Sequence, residues 1–162
     1  MPEIFPGRYR AQFDQPTVVF GIGMRINRPW AIKRWLRPTI NTVRNWWHVQ
    51  HHPPDGYLAG HLYVYAFGVG MTQYWRDFDA LEAYSHDTTQ PHVASWRQLA
   101  RQTKSDQTFG YWHETYVVTP ESSETIYGSM PRFGLAKAAG HVPVVAATNA
   151  ARARLEDDVA AT

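Results

Sequence analysis

The strands of this chain are apolar or aromatic on both faces, and that pattern limits its folds more than any other feature. The stretch GYWHETYVV (110–118) shows it most clearly. Successive residues of a strand point to opposite faces. His113 therefore shares one face with Tyr111 and Thr115, while Trp112, Glu114 and Tyr116 share the other. TVVFGIGMRI (17–26), YLAGHLYVYAF (57–67) and VGMTQYWRD (69–77) also lack a simple polar face. A sheet made of such strands has to be covered on both sides. In the first of them Gly21, Gly23 and Arg25 share a face, and strand glycines often mark close approach by another group.

Between these strands the period becomes helical. Ile32, Leu36, Ile40, Val43 and Trp47 fall on one helical face within 29–49. Pro38 predicts a kink in this helix, or its division in two. DFDALEAYSHD (77–87) reads as a short helix capped by Asp77 or Asp79. QPHVASWRQLARQT (90–103) is another, opened by Pro91 and striped by Val93, Trp96, Leu99 and Ala100. Residues 106–120 form the fourth strand, and 123–130 a short fifth. The chain divides into an extended N-terminal arm (1–16), a domain (17–140) and an Ala-rich tail (141–162) with a helical piece from 149.

The resulting order predicts an α+β, ferredoxin-like βαββαβ domain. Its antiparallel four-stranded sheet carries helices on one face. The other face would stay wet, yet its residues are apolar. A homodimer in which two sheets pack face to face resolves this, leaving a pocket between each sheet and its own helices.

Composition removes several classes of function. The 162 residues are enough for one domain with a real core. No cysteine is present, which excludes disulfides, thiolate metal sites and a Cys nucleophile, and fits a cytoplasmic location. MPEIFPGRYRAQF has no apolar leader region, and no run of 18 apolar residues exists, so neither secretion nor a membrane partner is expected. Charge is uneven: residues 1–50 hold 8 Lys/Arg against 2 Asp/Glu. Arg28, Lys33, Arg34, Arg37 and Arg44 read as a solvated basic face on or beside the first helix. A net charge of +2, without a helix-turn-helix, argues against nucleic acid.

No zinc site is expected, because His48 and His52, the one helically spaced pair, run straight into Pro53. Nucleophile-elbow and phosphate-loop motifs are absent. What remains is a set of polar residues within strand patterns: Arg25, His61, Gln73, Arg76, His113 and Glu114. Burying such groups is costly unless they are paired. Glu114 fits a pair with an arginine across the dimer interface. His113 fits the pocket, where an imidazole can act as base, acid or ligand. His92 opens a helix with Trp96 one turn on, the placement of a proximal haem ligand.

GMRINRPW (23–30), QYWRDFDALEAYSHD (73–87), HVASWRQL (92–99), GYWHETYVV (110–118) and IYGSMPRFGLAKA (126–138) together resemble the DUF4188, or fumagillin-pathway-monooxygenase-like, family. The resemblance runs over about 17–140. It implies the dimeric α+β-barrel superfamily and oxidative tailoring of small molecules, often in secondary metabolism. Relatives in that superfamily include cofactor-independent monooxygenases and haem proteins. The first expectation is a monooxygenase-like oxidoreductase that needs no cofactor and acts on a hydrophobic aromatic or polycyclic metabolite. His113 would be the base, and Arg25 and Asn27 would hold the oxyanion. Trp75, Trp96, Tyr111 and Tyr74 would shape the substrate cavity. The alternative is a haem enzyme of the same fold, ligated by His92, with peroxidase-like or dehydratase chemistry that extends to nitrogen-containing substrates. A non-catalytic small-molecule binder is the third.

Overall fold

The computed structural model describes residues 2–160; Met1 of the expected arm and residues 161–162 of the expected tail lie outside it. Four strands form the main sheet: β2 (Thr17–Ile26), β3 (Tyr57–Tyr65), β4 (Gly68–Trp75) and β5 (Phe109–Val118). Their order is β3-β4-β2-β5, and every pairing is antiparallel. Helix α1 (Ile32–His51) joins β2 to β3, and helices α2 (Phe78–His86) and α3 (Pro91–Thr103) join β4 to β5. This is the ferredoxin-like arrangement, α+β with an antiparallel sheet.

Local chemistry sets the joints. β3 and β4 meet at a tight hairpin in which Tyr65 pairs with Gly68 and Phe67 adopts a φ of 63°. A Cβ at Gly68 would lie 2.4 Å from the Met24 carbonyl oxygen, so the turn needs glycine there. Asp77 caps α2, its carboxylate accepting the Ala80 amide at 2.7 Å. Pro91 occupies the first turn of α3, where its missing N–H costs nothing. Pro38 does not divide α1, which runs unbroken from Ile32 to His51. The carbonyl left without the Pro38 N–H is that of Arg34, and one residue on the Thr39 hydroxyl donates to the Trp35 carbonyl at 2.9 Å.

The outer face of the sheet is covered in part by the chain itself. Residues of the N-terminal arm form β1 (Phe5–Gln12), which pairs with β6 (Tyr127–Met130) and β7 (Gly140–Pro143) in a second, three-stranded sheet. The short helix α4 (Leu135–Ala138) lies between the two sheets. Ala11, Leu135 and Ala136 pack there on Ala59 and Tyr74 in one buried cluster, with Val19 against its edge. Helix α5 (Ala151–Ala160) is fastened by Arg154, which is buried and donates to Glu124 at 2.5 Å and to the Thr148 and Asn149 carbonyls.

The glycine face of β2 holds a tryptophan. Gly23 stands opposite Trp112, and a Cβ at Gly23 would meet three atoms of the indole at 2.8–2.9 Å. The indole N–H donates to the Tyr65 hydroxyl at 2.9 Å, and that hydroxyl donates to the Met24 carbonyl at 2.9 Å. Two missing side chains on β2 thus make the slot for one large ring on β5.

Candidate functional site

The inner face of the sheet and helices α1, α2 and α3 enclose a cavity of about 620 Å³. That is ample for a small aromatic molecule. Phe20, Ile22 and Met24 of β2, Met71 and Gln73 of β4, and Tyr111, His113 and Thr115 of β5 form its floor. Strand alternation puts all of them on one side.

Trp96 comes down from α3 and meets Tyr111 edge to face, with ring centroids 5.0 Å apart. Beside them His113 lies 5.8 Å from the Phe20 ring, and it is exposed within the open cavity. Its face is the opposite one from Glu114, whose carboxylate accepts the Tyr116 hydroxyl at 2.7 Å in solvent.

Gln73 is the buried polar group of the floor, 4% exposed. Its carbonyl oxygen accepts the Trp75 indole N–H at 3.2 Å. Its amide nitrogen reaches the Met71 sulfur at 3.4 Å, a weak acceptor. One strong donor is therefore held in place with capacity to spare. From the roof, α1 adds Asn41, Thr42 and Asn45, so its cavity side is polar. Arg37, Arg97 and Glu82 border the same space.

The residues singled out in the sequence fall in three places. Trp96, Tyr111, His113 and His92 are brought to the cavity. Trp75 is fully buried behind it, packed with Val18, Ala80 and Leu81, where it orients Gln73. Arg25, Asn27 and Tyr74 are elsewhere. Arg25 is exposed on the glycine face of β2, opposite the cavity. The Asn27 side chain donates to the Gln107 carbonyl at 3.2 Å, past the end of β2. Tyr74 is buried in the cluster between the sheets, and burial pushes its hydroxyl pKa up to about 12. Asn41, Asn45 and Tyr84 line the cavity without having been singled out; for the two asparagines the helical wheel of α1, which sets them opposite the apolar stripe, was the available signal.

His92 is 7% exposed and stacks on Tyr84 with centroids 4.2 Å apart. Burial holds its pKa below the ordinary imidazole value, against a smaller opposing pull from Asp87 and the Ser85 backbone. Burial likewise pushes the Tyr84 pKa up to about 12, with Asp87 adding to the rise. An axial haem ligand must present one ring nitrogen to the iron. Both nitrogens of His92 are covered and make no well-formed hydrogen bond. As placed, the ring does not fit that role.

No curated protein matches the chain at a significant level. Solved structures are similar at a distance. SnoaB, a cofactor-independent oxygenase from Streptomyces nogalater, is 13% identical over 63% of this chain and 92% of its own, with a TM-score of 0.42. Aldoxime dehydratase OxdRE, solved with butyraldoxime, is 16% identical over 83% of this chain and 41% of its own, at 0.48. Protein SO0527 from Shewanella oneidensis is 11% identical over 68% and 96%, at 0.41. A protein-family model matches residues 17–135, from the first residue of β2 through the cavity-forming helices into α4. By that match the chain belongs to the monooxygenase af470-like family.

Proposed function

We propose that the protein is an oxygenase acting on a small aromatic or polycyclic phenol or enol, with the substrate itself supplying the electrons. The observation that carries this reading is the cavity. An aromatic wall (Trp96, Tyr111), an accessible imidazole on the sheet floor (His113) and a held amide donor (Gln73) converge on a space of about 620 Å³.

His113 takes the phenolic or enolic proton. Gln73, with Asn41 and Asn45 across the cavity, holds the resulting oxyanion. These amides take the role that the sequence pointed to Arg25 and Asn27 for, because both of those stand outside the cavity. The anion adds dioxygen at its carbon, and the peroxide then loses water to leave a carbonyl. One oxygen atom enters the product and the other leaves as water. The carbon that becomes the carbonyl supplies the electrons, so the step needs no external reductant.

The reading keeps the expected cytoplasmic location and a homodimer through the outer sheet face. Trp112, Glu114 and Tyr116 remain on that face where α4 does not reach. The test is oxygen uptake by purified protein given an anthrone-type polycyclic phenol. Uptake with matching quinone formation, in protein without a Soret band, supports the reading. Activity seen only after haemin addition, or tight binding without uptake, overturns it.

A further inference from the structure

The apolar stripe of α1 faces away from the protein. Ile32, Leu36, Ile40, Val43 and Trp47 are all exposed, Trp47 at 53%. The helix turns its polar side, Asn41, Thr42 and Asn45, to the cavity instead. Trp30, just before the helix, is 78% exposed. Water therefore meets a continuous band of apolar side chains with an indole near each end. At the helical rise the band from Ile32 to Trp47 is about 22 Å long.

Charge decides what can cover it. The sequence of α1, IKRWLRPTINTVRNWWHVQH, holds Lys33, Arg34, Arg37 and Arg44 and no acidic residue. Arg34 is engaged with Asp106 at 3.3 Å. Lys33 and Arg44 are exposed on the flank of the stripe, and Arg28 is exposed just ahead of it. Two copies of this face pressed together would bring like charges along one seam. An anionic lipid surface would instead meet each element. Acyl chains take the apolar stripe, headgroups take the cations, and indoles favour the level between. The helix also lies on the cavity side of the sheet, so pairing of outer sheet faces leaves the stripe uncovered.

We infer that α1 is a membrane-surface helix that docks the protein in-plane on a bilayer rich in anionic lipid. No helix among the described residues is long and apolar enough to cross a membrane. Lying on a bilayer is a different matter, and a basic amphipathic helix is what it requires. This inference stands apart from the proposed reaction.

The test is co-sedimentation of the full chain with vesicles of 70:30 phosphatidylcholine to phosphatidylserine, against pure phosphatidylcholine. The expected result is binding to the anionic vesicles alone, weakening steeply as salt rises. Lys33→Glu/Arg44→Glu should reduce it by about tenfold or more, since each charge is reversed near an anionic surface. Leu36→Ser/Ile40→Ser should reduce it similarly. Both variants alter exposed positions, so melting curves like those of wild type are expected and check folding. No binding by wild type at low salt overturns the inference, and so does equal binding to both vesicle types. So does a Leu36→Ser/Ile40→Ser variant that binds vesicles as well as wild type. A change in oligomeric mass in that variant, with no vesicle binding by wild type, would assign the stripe to a second copy and also overturn it.

Discussion

Replacing Gly23 with alanine tests the packing that joins β2 to β5. The new methyl would sit 2.8–2.9 Å from Nε1, Cε2 and Cζ2 of Trp112. That is closer than carbon tolerates, so the indole has to move. It is not free to swing away, because its N–H is bonded to Tyr65 and Tyr65 to the Met24 carbonyl. Overpacking of this kind costs about 1–3 kcal/mol. Loss of the indole hydrogen bond adds about 1 kcal/mol. Removing a strand glycine returns about 0.5–1 kcal/mol. The net is a destabilisation of about 1–3 kcal/mol, or a fall of about 2–12 °C in Tm for a domain of this size. Gly128→Ala is the control, since a Cβ there meets nothing within 4 Å. In a Trp112→Ala background the penalty at Gly23 should vanish, because the clash has gone. Thermal unfolding of the four proteins of that cycle measures the coupling. A Gly23→Ala protein as stable as Gly128→Ala, or a penalty that survives loss of the indole, would refute the reasoning.

Three further outcomes follow from the structure. Arg154→Met should destabilise by about 2–4 kcal/mol, because it strands Glu124 and two carbonyls that Arg154 now satisfies, and amide exchange should rise first in 148–156. His92 resists protonation in the fold, so the unfolded chain binds the extra proton first and stability falls as pH drops below about 6.5. His61 is shifted the same way, by burial and then Lys137, and adds to the trend. Melting curves between pH 7.5 and 5 measure this, and His92→Phe should flatten part of the slope; an unchanged slope would contradict it. Gln73→Leu should lower kcat/KM about 10²–10³-fold, as loss of one oxyanion donor does, and cost about 1–3 kcal/mol of stability, because the buried Trp75 N–H loses its acceptor.

Much of the fold was legible because strand period is so restrictive. Alternation alone separates His113 from Glu114, and the structure puts one in the cavity and the other on the far face. The same alternation ties Arg25 to Gly21 and Gly23, but it does not say which side that face will be. Only the register with Trp112 decides it. Periodicity in α1 identified an apolar stripe without identifying its partner. The stripe turned outward because the cavity takes the amides of Asn41 and Asn45. The two-sided apolar pattern of the sheet has a partly internal cause. Ala11 and Leu135 are far apart in sequence, yet they close on Tyr74 and Ala59 from opposite ends of the chain. Neither arm carries a local signal strong enough to announce that contact. Tyr74 and Trp75 are neighbours in sequence on opposite faces, so naming both as cavity residues could not hold for a single face of β4.

The proposed chemistry depends on one imidazole, and it is most directly tested by kcat/KM for oxygen uptake with a polycyclic phenol in His113→Gln beside Arg25→Ala. His113→Gln should lose about 10²–10⁴-fold, the usual contribution of a positioned base. Arg25→Ala should match wild type, because Arg25 stands on the other face of the sheet. Full activity in His113→Gln, or a comparable loss in Arg25→Ala, would contradict the placement of the reaction in this cavity.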